Sequence, residues 1–583
     1  MAGVILSCMA SPFELHHEVK HGNIRRVREL LRSGAEINAK DRSGYTPLMH
    51  ALQSPTASVE LAELLLDSGG TVAETTPEGT ECSVASVALW GGDPLKLALV
   101  LDRGADLRYV DKHGYDALLD AVYGPFKDRD PRLLDVLNIL VARGVALNSV
   151  TSYGESALRV LSKLGRFDAV QFLLNAGADE SQLAWTPLHR AVALGSLGDV
   201  KGLVESGADL EAVDWWKRTP WLVAVRCGDL EKARYLVDHG ADFTVTGKNG
   251  ASPLNFAIES FQIPMLEWLI ELGINVESSA DCCITPLMIA VRTQDASAVS
   301  VLIAAGAEID RRTGCGTALG SVHNREIALC LLDAGGDPAE LSFQGRRAIL
   351  GLEPEPEVSL FDATPEDYRL GFRASWGDHN PELLDRRFWH AMIRSGIDAY
   401  VAAQLSGGTL DDCPVWCAQR FGQSLTLLHD GRAIQIGGEH EDYYDQDFYI
   451  YNDVFVHHPD GRIDIFCYPK EVFPPTDFHT ATLIGDTIYI IGGLGYPGSR
   501  LFGETPVYCL DTNTLQISYI KSTGDQPGWI SKHRATLAGS REIRVWGGKI
   551  SAATRDKETY EDNRESWVLD TSLLRWRRES VEG

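Results

Sequence analysis

The sequence predicts a multidomain chain whose first part is an all-α solenoid of about ten helix pairs over residues 1–341. A linker and helical connector over 342–414 then lead to an all-β domain over 415–583. Three observations predict this. A helix-stopping glycine recurs at Gly34, Gly69, Gly104, Gly144, Gly177, Gly207, Gly240, Gly273, Gly306 and Gly335, at intervals of 29 to 40 residues. Helix starts recur in phase with those stops, at Thr46-Pro47-Leu48, Thr186-Pro187-Leu188, Thr219-Pro220-Trp221, Ser252-Pro253-Leu254 and Thr285-Pro286-Leu287. Three short apolar runs end in diglycine, at Gly437-Gly438, Gly492-Gly493 and Gly547-Gly548, 55 residues apart both times.

Residues 182–213 show one repeat in full. Thr186 is suited to the N-cap and Pro187 to N1, where a missing N–H costs nothing. Leu188, Ala191 and Val192 then share one helical face. Asp199 is the expected cap of the second helix, whose apolar stripe is Val200, Leu203 and Val204, and Gly207 supplies the left-handed stop. A unit of about 33 residues cannot bury two such stripes alone, so it needs neighbours.

These starts, stops and the closing Gly-Ala-Asp/Glu resemble the ankyrin repeat family over roughly residues 10 to 341. The first repeat is expected to be a polar-sided cap carrying His16, His17, Lys20 and His21, with Val27, Leu30 and Leu31 facing inward. The fourth is longer, with its extra residues placed between its two helices around Pro125 to Pro131. A short tenth repeat, Thr313 to Leu341, with Asn324-Arg325-Glu326, reads as the other cap.

Beyond a Pro- and Glu-rich boundary at 351–365, residues 366–407 read as a small helical connector. Asn380 is the expected cap and Pro381 the N1 residue of a helix with Leu384, Phe388, Met392 and Ile393 on its apolar face. From about Val415 the text changes to short β runs separated by Asp-Gly, Gly-Asp and Pro-rich turns. With His479 and His533 at nearly the same phase before successive diglycines, this part resembles kelch repeats, each a four-stranded propeller blade. Three blades are fewer than the 4–8 or so that close a ring. The expectation is therefore a partial or small propeller, unless a degenerate blade precedes Gly437.

Composition narrows the function classes. With 44% hydrophobic and 23% charged residues the chain is expected to be globular. It has no apolar run of about 18 residues, so no membrane span is expected. Val4-Ile5-Leu6 has no preceding Lys or Arg, so no secretion leader is read there. Eleven unpatterned Cys, including Cys282-Cys283 and Cys413/Cys417, point to a reducing cytoplasmic compartment and no zinc finger. The formal charge is −27, with 30 basic against 45 acidic residues up to 341 and 24 against 36 beyond. That disfavours nucleic acid or an anionic membrane and favours a basic protein partner.

No phosphate-cradling loop, nucleophile elbow or zinc-protease motif is present in the sequence, and no cofactor is called for. His440, Glu441, Asp442 and Asp445, with His479, carry the donor types that suit Mn, Zn or Fe; the alternative is a solvated acidic loop. Loop aromatics of the β domain, among them Tyr443, Tyr444, Tyr449, Tyr451, Phe473, Phe478, Tyr496 and Trp529, either fill its core or form a recognition surface.

The ankyrin resemblance implies hairpins at the repeat starts that line a binding face. Matching positions are held by Tyr45, Tyr115, Tyr153, Trp185, Trp215, Trp216 and Arg218. Lys217 stands where that family has glycine, and Trp and Arg are the types most enriched in interface hot spots. His189 is implied to be structural, bonding loop backbone across repeats. The reading is a non-catalytic interaction module, with possible self-association through the β domain. A toxin-neutralising protein is a narrower version of it. An enzyme with its site in the β domain is the alternative class, requiring His440, His479 and His533 to converge with Asp442.

Overall fold

The structure, a computed structural model, describes residues 14–41, 43–75, 82–126, 130–278, 284–408, 415–440, 449–553 and 558–579. It comprises two compact units, Met1–Ile289 and Ala290–Gly583.

In the first unit the phased signals become helix pairs. Thr186 caps the helix Pro187–Leu194, its Oγ1 accepting the His189 N–H at 3.3 Å. His189 Nδ1 lies 2.8 Å from that hydroxyl, and its Nε2–H donates to the Arg218 carbonyl at 2.9 Å. Burial lowers the pKa of this imidazole, so it serves as a neutral tie from one repeat to the next.

The second helix, Leu197–Glu205, starts earlier than the spacing suggested. Its cap is Ser196, not Asp199. Asp199 sits at N3 and closes a capping box, accepting the Ser196 N–H at 2.7 Å while Ser196 Oγ accepts the Asp199 N–H at 3.2 Å. All ten stop glycines are left-handed, with φ between 73° and 104°. At Gly207 the N–H donates to Val204 at 2.9 Å and that of Ala208 to Leu203 at 3.0 Å, which retires two orphan carbonyls of the helix end.

The stripes merge into one core running from Leu15 to Leu183. Leu161 and Leu173 are fully buried in it, and truncating either to Ala costs about 2–5 kcal/mol. The long fourth repeat carries its insertion between Ala117–Val122 and Arg132–Ala142. There Phe126 turns into the core, while residues 127–129 lie outside the described set.

In the second unit the tenth repeat is incomplete. A single 3₁₀ turn, Leu319–Ser321, precedes the helix Arg325–Asp333, which Asn324 caps through the N–H groups of Glu326 and Ile327. Its far end is not left to solvent as a cap would be. The turn Pro338–Glu340 packs on the strand Ser424–Leu427. From the β part, Arg534 reaches Glu340 at 3.1 Å, Asp337 at 3.6 Å and Asp310 at 3.8 Å.

The connector helices are Pro365–Gly371, Arg387–Ser395 and Ala399–Ser406. Asn380 and Pro381 do not start one. Glu382 and Leu383 are instead drawn onto the outer edge of a sheet, pairing with Cys467 and Phe466, because that edge strand offers unpaired N–H and C=O groups. The Asn380 side chain brackets Ile517, donating to its carbonyl at 2.8 Å and accepting its N–H at 2.9 Å.

Among the described residues the β part holds three four-stranded antiparallel blades that do not close, together with a three-stranded sheet of Trp529–Ser531, Lys549–Ala553 and Glu558–Asp562 and a short pair of Glu439–His440 with Tyr449–Ile450. The first is Ser424–Leu427, Ala433–Ile436, Val454–His457 and Ile463–Cys467. The second is Thr480–Ile484, Thr487–Ile491, Val507–Asp511 and Ile517–Tyr519. The third is Arg534–Gly539, Glu542–Trp546, Ser566–Asp570 and Arg575–Arg578.

Two staples join each pair of neighbours. Gly438 donates to the Thr476 carbonyl and Gly493 to that of Ile530, both at 2.9 Å. A Cβ on Gly437 or Gly492 would sit 2.3 or 2.4 Å from those same oxygens, so the diglycine is a steric requirement. The second staple is a histidine. His479 Nε2 lies 2.9 Å from Ser424 Oγ, and His533 Nε2 lies 3.0 Å from Thr480 Oγ1.

The blade faces explain why the array ends without closing. One face of the first blade, with Phe455, Ile463 and Ile465, packs on Phe388 and Trp389 of the connector and on Trp416 just beyond it. Among the described residues no degenerate blade stands there; helices take its place. The other face joins the second blade through Ile434, Val454, Ile488 and Leu510. The second joins the third through Ile491, Val507, Ile543 and Trp567. The far face of the third carries Glu542 and Arg544 on one strand and Arg577 on another, with the strand Ser566–Asp570 between them. These pair as Arg577–Glu542 at 2.7 Å and Arg544–Glu579 at 2.5 Å, a polar end of the kind that terminates repeat arrays.

Candidate partner-binding surface

Several helix pairs of the first unit are preceded by a tight hairpin. Asp111 Oδ1 accepts the N–H groups of His113 and Tyr115, both at 2.8 Å, and Asp214 Oδ1 does the same for Trp216 at 2.9 Å and Arg218 at 2.8 Å. The fourth hairpin residue is left-handed: Gly44, Gly114, Gly154, Lys217 and Gly250. Successive tips are joined through backbone, Ser152 N–H to His113 at 2.8 Å, Trp215 N–H to Leu183 at 3.0 Å and Lys248 N–H to Trp216 at 3.1 Å.

The row has a notch. Between Gly177 and Thr186 the connection is three residues shorter than between Gly207 and Thr219, and a 3₁₀ turn, Glu180–Leu183, stands where the neighbours have a hairpin. Trp215 and Trp216 reach across the gap to the helix Ala157–Leu164. Their rings meet edge to face, centroids 4.6 Å apart at 86°, and Trp216 Nε1–H donates to the Arg159 carbonyl at 2.7 Å. Three cations surround the pair. The Arg159 guanidinium is 4.6 Å and Lys248 Nζ 4.5 Å from the Trp215 ring. Lys163 Nζ is 4.9 Å and Lys248 Nζ 5.1 Å from Trp216; Lys217 is the next residue in the hairpin.

The other sequence candidates fare differently. Tyr45 is half-buried, its ring 5.6 Å from His50. Tyr115 donates to Glu155 at 3.1 Å, and Tyr123 donates to the same carboxylate at 2.7 Å. Tyr153 is 64% exposed beside His113. Trp185 is half-buried against Phe167. Arg218 is not on the surface at all. It is 1% exposed and holds Asp214 at 2.9 and 2.6 Å while donating to the carbonyl of Ser162 at 2.8 Å and its Oγ at 2.6 Å. An arginine four residues after a hairpin aspartate closes on it, which makes it an internal brace.

In the β part His440 is buried with Nδ1 3.2 Å from the Gln419 carbonyl, while Glu441, Asp442, Tyr443, Tyr444 and Asp445 lie outside the described residues. His479 and His533 occupy equivalent positions in successive blades. Burial pushes the pKa of each down to about 3. Among the described residues no three His, Cys, Asp or Glu side chains stand together as a metal site. Tyr451, Phe473 and Trp529 belong to the buried interior. Cys282, Cys283 and Cys413 also fall outside the described residues.

Sequence reasoning missed Arg159, Lys163 and Lys248. Lys248 was within reach, since it follows Trp215 by 33 residues, one repeat on. Arg159 and Lys163 carried a fainter signal: two cations four apart on one helix face.

Comparison with known proteins gives three kinds of match. Residues 419–583 fit the model "KLHDC2/KLHL20/DRC7 Kelch-repeats domain". Residues 129–214 and 212–280 fit "Ankyrin repeats (3 copies)", and 283–314 fit "Ankyrin repeat". Among curated proteins, the B-cell lymphoma 3 protein homolog of Mus musculus is 30% identical over 154 residues, 26% of this chain and 33% of the relative. Glycerophosphocholine phosphodiesterase GDE1 of Candida albicans is 29% identical over 204 residues, covering 30% and 16%, respectively. The E3 ubiquitin-protein ligase KEG of Arabidopsis thaliana is 26% identical over 214 residues, covering 33% and 12%. The chain thus spans a third or less of each of these relatives. Among the described residues no helix is long and apolar enough to cross a membrane.

Proposed function

Because the chain carries ankyrin repeats followed by a C-terminal kelch-repeat domain, we propose that it is a non-catalytic protein-binding scaffold whose partner docks on the hairpin row around Trp215 and Trp216. One observation carries this: two tryptophans fill a notch in an otherwise regular row, half-buried and held rigidly from below. Rigid aromatic anchors lose little entropy on binding and dominate interface energies. The remaining hairpin aromatics, Tyr153 foremost, extend the contact along the row.

The formal charge of −27 supports a basic protein as the body that approaches, steered at distances up to about 10 Å at moderate salt. A basic toxin is one partner of that kind. Two of the relatives are named as enzymes, but the chain covers 16% and 12% of them, so their activities are not carried over. The enzymatic reading gains nothing from His479 and His533, each of which spends Nε2 on a hydroxyl of the preceding blade. Self-association through the β half loses its apolar driving force at the third blade, whose far face is paired charge. Cytoplasmic residence agrees with the unpatterned cysteines.

The test is capture from the native host with the full chain and with the Trp215→Ala/Trp216→Ala variant. The reading expects the wild type to recover a partner that the folded variant loses. Equal recovery by both removes the Trp pair as the anchor.

A further inference from the structure

Resting on that reading, we propose that the Trp215–Trp216 notch takes an acidic segment of the partner, a short run rich in Asp and Glu. The patch is opposite in sign to the chain as a whole. Arg159, Lys163 and Lys248 lie 4.5 to 5.1 Å from the two rings, and Lys217 adds a fourth positive charge at the hairpin tip. Among the described residues none of the four forms an ion pair. Arg159 spends Nε and Nη1 on the carbonyls of Gln182 at 2.7 Å and Gly154 at 2.6 Å, and neither neutralises it. The carboxylate that precedes the Trp pair in its hairpin, Asp214, is consumed by Arg218, and Glu155 of the preceding hairpin accepts from Tyr115 and Tyr123.

Three features favour carboxylates over other occupants. The rings hold the ammonium groups in place by cation–π attraction, so a bound segment need not order free lysine chains. A basic segment would meet four like charges, which costs affinity at every contact. An uncharged apolar segment would cover the cations without a counter-charge, leaving buried charge unpaired. The acidic remainder of the chain does not cancel the patch, because screening confines its field to about a Debye length. Glu and Asp side chains entering the notch would receive the ammonium N–H groups of Lys163, Lys217 and Lys248, with their methylenes against the Trp edges.

The test uses the full chain and three fluorescein-labelled peptides of equal length, alternating Gly with Glu, Gln or Lys. Anisotropy is expected to show saturable binding of the Glu peptide, weakening as salt rises. Lys163→Gln/Lys248→Gln is expected to weaken it at least about tenfold with an unchanged melting midpoint, since both lysines are exposed. No saturable binding of the Glu peptide, equal or tighter binding of the Gln or Lys peptide, or an unchanged affinity in the lysine variant overturns the proposal. The same lysine variant in the host capture separates the two readings. If it retains the partner that the Trp variant loses, only the acidic assignment fails. If both variants retain the partner, the docking surface itself fails.

Discussion

Arg218 and Asp214 face each other across a single hairpin with nitrogen and oxygen 2.6 Å apart and both side chains 1% exposed. The guanidinium also holds the carbonyl of Ser162, 56 residues earlier, so one arginine ties the Trp-bearing hairpin to the repeats beneath it. Arg218→Ala would leave a buried carboxylate alone, and it is expected to destabilise the first unit by about 3–5 kcal/mol. Urea unfolding followed by tryptophan emission checks this. A loss under about 1 kcal/mol would show that water reaches the pair.

Lys217 occupies the left-handed position that glycine holds in the hairpins at Gly44, Gly114, Gly154 and Gly250. An L side chain there costs about 1–2 kcal/mol. Glycine returns about 0.5–1 kcal/mol of that through its freer unfolded state. Lys217→Gly is therefore expected to raise stability by up to about 1 kcal/mol while weakening the Glu peptide. Opposed movements of unfolding midpoint and affinity in one variant would mark Lys217 as retained for binding.

His479 and His533 are neutral in the fold, their pKa pushed by burial from 6.5 to about 3. The unfolded chain binds protons on both below about pH 6.5, and the folded chain does not until about pH 3. Stability from these two groups is thus present above pH 6.5 and is lost as pH falls towards 3, by about 1.4 kcal/mol per pH unit for each histidine. His479→Gln/His533→Gln should flatten that slope. Urea midpoints at several pH values between 7 and about 4 measure it, and an equal slope in the variant would place the acid sensitivity elsewhere.

The third blade ends in the pairs Arg577–Glu542 and Arg544–Glu579. Arg544→Leu/Arg577→Leu replaces paired charge by an apolar sheet face, which is expected to seek a second copy. Light scattering across a range of concentrations should give a constant mass for the wild type and a rising one for the variant. A rising mass in both would mean the charged face does not prevent association.

What was legible in the sequence was local. A glycine after a helix and a Thr-Pro before one act within a few residues, so ten stops and their starts located the repeats. The diglycines located the blades for the same reason, because steric demand at one backbone position leaves a residue type behind. What was missed depended on distant partners or on a choice between two capable residues. Ser196 and Asp199 both suit an N-cap, and only the geometry shows that one caps while the other closes the box. Asn380-Pro381 has the form of a helix start, yet the pull of an unpaired sheet edge 85 residues later wins at Glu382. Arg218 was placed on the surface by its type, and the aspartate four positions back was the overlooked clue. The cations around the Trp pair come from other repeats, which no window on the hairpin alone contains.

The last blade also holds the far end of the repeats in order. Glu340, Asp337 and Asp310 converge on Arg534, which follows Glu340 by 194 residues. A chain cut short before that arginine would leave Glu340 with Arg312 alone and take from Asp337 and Asp310 the cation that now faces them. Damage at the tail would then surface as fraying upstream, and a premature stop codon ahead of the final blade would read out as a protease-sensitive tenth repeat.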